Sequence, residues 1–295
     1  MKTKMSRRSA LRRIAQTTAA AAVGTQLPRG VGAADAPPAL KLKGNIRHSV
    51  CRWCYDRIPL EELCRAARAI GLESVELLPV SDFPTLKRFG LTCAVVSGVP
   101  GGIENGLNRI ENHDRIVAWM EETIPLAARF GAPNVICFSG NRRGLDDEQG
   151  LEHCAIGLKR IMPVAEKHKV TVIMELLNSK RTHKDYQCDH TAWGVALCKR
   201  VGSERFKLLY DIFHMQIMEG DVCDTIRENA AFIAHYHTGG VPGRAEIDET
   251  QELNYPRIMQ EIVRTGFKGF VAQEFIPKNP DPIASLRRAV ALCDV

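Results

Sequence analysis

What this chain lacks narrows its class before anything it contains. Beyond residue 36, no stretch approaches the about 18 consecutive apolar residues of a membrane span. No glycine-rich loop follows the first strand-like run, which argues against an open nucleotide-binding sheet. The close pair Cys51 and Cys54 has no second pair at finger-like spacing, so it does not indicate a structural zinc. That pair follows a strand rather than opening a helix, which argues against a redox motif. Neither a low-complexity segment nor a second domain interrupts residues 37–295.

Net charge is also missing from most of the chain. The full 295 residues carry 40 Lys+Arg and 34 Asp+Glu, a formal +6. Residues 1–36 hold seven of the basic and one of the acidic residues, leaving 33 of each sign in the remainder. The basic balance therefore belongs to the first segment, and nucleic acid is not expected as a partner.

That first segment reads as an export signal. Ser6-Arg7-Arg8-Ser9-Ala10-Leu11-Arg12 is a twin-arginine pattern, although position 10 more often carries an aromatic. A weakly apolar Ala/Thr run follows, and small residues at Ala33, Ala34 and Ala36 offer cleavage sites. The expectation is a signal and linker over 1–36, passage through the twin-arginine machinery, and a periplasmic or otherwise exported mature chain. Ten cysteines in an exported protein would ordinarily suggest disulfides. Here Cys64, Cys93, Cys137, Cys198 and Cys223 sit in apolar patterns where a free thiol acts as a small hydrophobe. Twin-arginine substrates also cross the membrane already folded, which weakens the case for a disulfide framework.

From residue 37 onward, strand-like and helical runs alternate. Strands are expected at Asn45–Val50, Ser74–Leu78, Leu91–Val96 and Asn134–Phe138. The helices between and after them are expected at Pro59–Ile70, Pro84–Phe89, Asn108–Phe130 and Asp146–His168. Four further runs, each with a helix behind it, complete eight strand–helix units. The expected fold is a single α/β domain, a (β/α)8 TIM barrel over 37–295. The apolar runs are short and do not alternate, as expected for strands covered on both faces.

The last four runs carry the chemistry. Glu175, Asp211, His237 and Glu274 each close one of them, at separations of 36, 26 and 37 residues. In a parallel barrel, side chains at the C-terminal ends of successive strands converge on one mouth. A lone strand-end carboxylate often caps the next helix. Three carboxylates and an imidazole together are costly without a cation, and they have the composition of a divalent-metal site. His235 lies two residues from His237 and faces the same way, so either imidazole can be the ligand. His237 is preferred because it lies further toward the mouth. Oxygen ligands favour Mn2+ or Mg2+, and ligand type alone leaves Zn2+ open.

Glu175 and Glu274 are the natural pair for moving a proton between neighbouring carbons of a hydroxy-carbonyl substrate. His214, three residues beyond Asp211, is placed to stabilise a developing oxyanion. Arg244, in the flexible-looking loop Gly239–Arg244, suits a substrate carboxylate or hydroxyl.

These residues sit in a recognisable setting. The runs Glu175–Asn178, Tyr210–Gly220, Pro242–Arg244, Glu252–Tyr255 and Gln273–Phe275 resemble hydroxypyruvate isomerases, within the wider xylose-isomerase-like barrels that include ketose 3-epimerases. The resemblance implies metal ligation by Glu175, Asp211 and Glu274, with the two glutamates as acid/base pair. It also implies substrate contacts from His214 and Arg244. Histidine at 237 is the epimerase-like choice, where hydroxypyruvate isomerases tend to have glutamine. The basic loop Ser179–Asp185 is a second departure, suited either to an anionic substrate or to solvent. The expected function is a metal-dependent isomerase or epimerase of a small hydroxy-carbonyl compound or sugar, working through an enediolate. A metal-dependent sugar lyase or hydrolase on the same barrel, and a non-catalytic sugar-binding barrel, are the alternatives. Nothing in the pattern forces or forbids an oligomer.

Overall fold

Short β-branched and apolar runs covered on both faces become the staves of a closed parallel sheet. The computed structural model describes residues 40–295, and the expected export signal at 1–36 lies outside the described residues. The strands are β1 Arg47–Cys51, β2 Ser74–Glu76, β3 Val95–Val96, β4 Asn134–Cys137, β5 Thr171–Glu175, β6 Phe206–Asp211, β7 Ile233–Thr238 and β8 Phe270–Gln273. All pairings are parallel, in the order β2-β1-β8-β7-β6-β5-β4-β3. Bridges Ser74–Thr92 and Leu78–Val96 join the two ends and close the barrel.

The helices are α1 Leu60–Ile70, α2 Phe83–Arg88, α3 His113–Phe130, α4 Asp147–His168, α5 Thr191–Val201, α6 Ile212–Met218, α7 Val222–Asn229, α8 Tyr255–Arg264 and α9 Pro282–Cys293. Their ends follow local chemistry. Asp146 and Asp281 accept backbone N–H groups at the starts of α4 and α9, at 2.7 and 2.9 Å. Gly71 closes α1 in the left-handed region at φ +109°. All ten cysteines are free thiols, eight of them buried, as the apolar settings suggested.

Three elements depart from expectation. Only Val95–Val96 of the expected third strand is regular. Below it, the Ala94 N–H donates to Ser74 Oγ at 2.8 Å and the Ala94 carbonyl accepts from Asn134 Nδ2 at 2.9 Å, so side chains replace the ladder. The long third helix starts at His113, after a 3-10 turn at Ile110–Asn112. The sixth strand is followed by two helices, α6 and α7, rather than one: the Asp211 side chain accepts the His214 N–H as a cap and starts α6.

One irregularity sets the position of the site. Between β6 and β7 the register shifts by a residue, from Leu208 opposite Ile233 to Leu209 opposite His235. Without that bulge, Asp211 would lie level with Tyr236, whose side chain faces the helices. With it, Asp211 pairs with His237. Inside the barrel, Val95, Ile136, Ile173 and Leu209 form an apolar layer beneath the mouth. The β2 and β7 side of the same interior is polar, with Glu76, His235 and His237 all wholly buried.

Candidate active site

The strand ends deliver the four expected residues to one place. Glu175 and Asp211 are the last residues of β5 and β6, His237 is next to last in β7, and Glu274 directly follows β8. One ligand atom from each lies within 4.8 Å of all the others, and all four residues are buried. Above them opens a cavity of about 1070 Å³, walled by Trp53, Phe138, Phe213 and Ile276 and by the loop bearing Arg181 and His183.

Each side chain is held by named neighbours. Glu274 Oε1 accepts from Trp53 Nε1 at 2.6 Å, while its Oε2 accepts from Arg244. Arg244 also donates to Asp211 Oδ2 at 2.5 Å and stacks over Phe213, 4.8 Å from the ring centre. The Gly239–Arg244 loop is pinned rather than loose: Arg244 N–H donates to the Gly240 carbonyl at 2.7 Å, and Ile276 N–H donates to the Arg244 carbonyl at 2.7 Å. Arg244 itself occupies the left-handed region at φ +55°, a strained choice for a residue with a Cβ. Asn178 Oδ1 accepts the backbone N–H groups of Arg181 and Thr182, so its amide nitrogen is the atom facing His214 Nδ1 at 2.6 Å.

The basic loop is partly structural. Lys180 Nζ donates to the carbonyls of Ile217 and Met218, at the end of α6, at 3.1 and 2.8 Å. Arg181, Thr182 and His183 line the cavity.

Burial and charge divide the carboxylates. Burial pushes Glu175 up, with the charge of Glu274 adding to it and His237 only partly offsetting it. Asp211 is pushed up to about 7 by burial and the neighbouring Glu274 and Glu175, against the pull of Arg244. Glu274 is held well below the usual carboxylate range: Arg244, His237 and the Trp53 hydrogen bond outweigh the effect of burial. Burial and the Arg244 charge hold His214 well below the usual imidazole value, so its ring is neutral.

The two imidazole candidates separate cleanly. His237 Nδ1 lies 2.7 Å from Glu274 Oε2 and 3.5 Å from Glu175 Oε1, whereas His235 points its Nε2 away from them, to Glu76. Despite its closeness to Glu274, buried His237 Nδ1 makes no hydrogen bond. Its other nitrogen meets Glu76 Oε1 at 2.9 Å. Burial would lower His237, but Cys51, Glu274 and Glu175 hold its ring well above the usual imidazole value, so the carboxylates around Nδ1 draw positive charge that a bound cation would supply in the proton's place. Three carboxylate oxygens and that nitrogen therefore suit a divalent cation, which Glu175, Asp211, His237 and Glu274 would hold.

Glu76 is the residue that sequence reasoning missed. A carboxylate inside the apolar run Val75-Glu76-Leu77-Leu78, in a strand covered on both faces, needs a buried partner, and that was the available signal. Burial would push its carboxyl up, but the imidazoles of His235 and His237 hold it down at about 2.

A closed parallel barrel with a carboxylate–imidazole cluster at its C-terminal mouth defines an enzyme-type active site. A model of the xylose isomerase-like TIM barrel family matches residues 64–292, and the chain belongs to that family. The hydroxypyruvate isomerase of Escherichia coli (strain K12) is 28% identical over 225 residues, covering 75% of this chain and 79% of its own. A solved structure described as an AP endonuclease, family 2, from Brucella melitensis superposes with a TM-score of 0.72 at 25% identity, covering 82% of this chain and 96% of its own. The 3-keto-D-glucoside 4-epimerase of E. coli superposes at 0.70 with 17% identity, covering 84% and 98%, and shows the shared fold.

Proposed function

We propose that the protein is a divalent-metal-dependent isomerase or epimerase of a hydroxy-carbonyl compound or sugar. The observation that carries this reading is the set of four buried donor atoms within 4.8 Å of one another at the base of an open cavity. The isomerase and epimerase names of the E. coli relatives support it. The cation, Mn2+ or Mg2+ by its oxygen-rich donors, would polarise the substrate carbonyl when bound.

The chain's own residues do the rest. Glu175 and Glu274 stand on strands separated by β6 and β7, so they approach a substrate from two sides. One glutamate takes the proton from carbon and the other returns it to the neighbouring carbon or the opposite face, through an enediolate. Trp53 orients Glu274 through Oε1. Neutral His214, its Nδ1 occupied by Asn178, carries its hydrogen on Nε2 at the cavity wall, 3.6 Å from Asp211 Oδ2; Arg244 Nη1, 3.2 Å away, is itself a donor and makes no bond to it. That Nε2–H and the Arg244 fork supply donors for a developing oxyanion. A cavity of about 1070 Å³ walled by Trp53, Phe138, Phe213 and Ile276 has room and apolar faces for a sugar ring, so it favours a keto sugar over a three-carbon acid.

The test is proton–deuterium exchange followed by NMR in D2O with hydroxypyruvate, ketoses and 3-keto sugars. Deuterium should enter a carbon next to the carbonyl, and chelator, Glu175→Gln or Glu274→Gln should abolish it. Retention of full exchange in both variants would overturn the glutamate pair, and the product spectrum separates isomerase from lyase. For the first 36 residues we propose export by the twin-arginine machinery to the periplasm, on the Arg7-Arg8 pattern. Replacing both arginines by lysine should leave the protein in the cytoplasmic fraction, and unchanged export would refute the proposal.

A further inference from the structure

Beneath the candidate metal ligands lies a second polar unit. Glu76, at the end of β2, reaches across the barrel interior to β7, where its Oε1 lies 2.7 Å from His235 Nε2 and 2.9 Å from His237 Nε2. All three residues are wholly buried, and Glu76 lies 159 and 161 positions from the two histidines in sequence. A buried carboxylate is retained only where it is well partnered, so its presence here calls for a reason.

The geometry supplies one. Against a carboxylate acceptor, His237 must present a hydrogen on Nε2. Once the ring gives up its second hydrogen, as a metal ligand must, the lone pair is left on Nδ1, the atom directed toward Glu175 and Glu274. The second hydrogen bond, from His235, lands on the same Oε1, so that two imidazoles hold that oxygen in place. The weak contact of Cys51 Sγ with the same His237 nitrogen, at 3.7 Å, does not compete. Oε1 takes both imidazole N–H groups, while the buried Oε2 has no hydrogen-bond partner.

We propose that Glu76 is a positioning residue for the metal site: it locks His237 in the Nε2–H tautomer, so that Nδ1 is ready to ligate, and His235 buttresses it. This rests on the reading of Glu175, Asp211, His237 and Glu274 as metal ligands. Carboxylate–imidazole–metal relays of this kind typically lose 10- to 100-fold in metal affinity when the carboxylate is removed. Here the relay spans the barrel from β2 to β7, so the metal site is coupled to the strand pairing that closes the barrel at β2 and β3.

The experiment compares the full chain with Glu76→Gln and His235→Asn. Mn2+ binding is measured by calorimetry, and histidine tautomers in the metal-free protein by long-range 15N–1H NMR. At a pH high enough to make the ring neutral, the wild type should show His237 with Nε2 protonated and Nδ1 bare. Glu76→Gln should bind Mn2+ about 10- to 100-fold more weakly while still unfolding cooperatively in chelator. His235→Asn should lose less than about threefold, because the Glu76–His237 bond survives. Three outcomes overturn the proposal: Glu76→Gln binding within twofold of wild type, both variants losing affinity equally, or His237 carrying its hydrogen on Nδ1. A wild type that binds no Mn2+ would refute the metal site instead, and the tautomer measurement would still decide the role of Glu76. That measurement also decides it if Glu76→Gln does not fold.

Discussion

Asn178 Nδ2 stands 2.6 Å from His214 Nδ1, and the Asn178 carbonyl oxygen is already committed to two backbone N–H groups of the following loop. The amide can therefore only donate to the ring, which leaves the imidazole hydrogen on Nε2, on the side of Asp211 Oδ2 at 3.6 Å and the cavity. Asn178→Asp keeps the loop acceptor and the volume but faces His214 with an acceptor, reversing the tautomer. We expect kcat to fall by roughly 10²- to 10³-fold, the usual loss of one oxyanion donor, with the fold intact by circular dichroism. An Asp variant with wild-type kcat would remove His214 from the oxyanion role.

Arg244 bonds Asp211 and Glu274, two of the residues that would hold the cation. Its guanidinium and a metal ion thus draw on the same negative charge. Arg244→Gln should lower kcat/KM by roughly 10- to 100-fold, the loss of a charge-assisted hydrogen bond. The same variant should bind Mn2+ as tightly as wild type or more tightly, since a competing positive charge is gone. Calorimetry and steady-state kinetics together check the pair of effects. A parallel loss of both would mean that Arg244 holds the metal site together instead of serving the substrate.

The sequence made some of this legible and hid the rest for physical reasons. Glu175, Asp211, His237 and Glu274 stood out because each interrupts an apolar run at its end, and a barrel places such ends together. Glu76 did not, because it lies within an expected strand and its partners are 159 and 161 residues away. Choosing between His235 and His237 needed the direction of each ring nitrogen, which period-two alternation cannot give. Helix α6 was hidden because Asp211 serves as both strand end and helix cap. The third strand was read too long because Ser74 and Asn134 side chains, rather than a neighbouring strand, satisfy Ala94.

The loop that carries Asn178 is anchored at its far end. Asp189, mostly buried, takes both nitrogens of the Arg142 fork at 3.2 and 3.1 Å, Ser179 Oγ at 2.6 Å and His190 Nδ1 at 2.7 Å. Burial would raise its carboxyl, but the hydrogen bonds from Arg142, Ser179 and His190 hold it below the usual value. A depressed folded value stabilises above the ordinary carboxylate range, and the contribution is lost as pH falls through it. Asp189→Asn should therefore cost about 2 kcal/mol in urea unfolding at pH 7, less than a fully buried pair because Arg142 is partly exposed. The gap between variant and wild type should close as the pH drops below about 4. A difference that stays constant with pH would show that the anchor works by shape and not by charge.

Removing the cation should be visible without any substrate. Four buried ligand donors, three of them carboxylates, repel one another when only Arg244 and His237 offset their charge. A ligand at 100 times its Kd stabilises the folded state by about 2.7 kcal/mol. For a domain of this size that corresponds to a rise in Tm of roughly 5–10 °C. Chelator-treated protein should unfold at the lower temperature, and Mn2+ or Mg2+ should restore the higher one in a concentration-dependent way. Asp211→Asn should abolish the shift, because its carboxylate would be a ligand and carries no proposed proton-transfer role. If the ion raises Tm equally in that variant, it binds elsewhere on the chain.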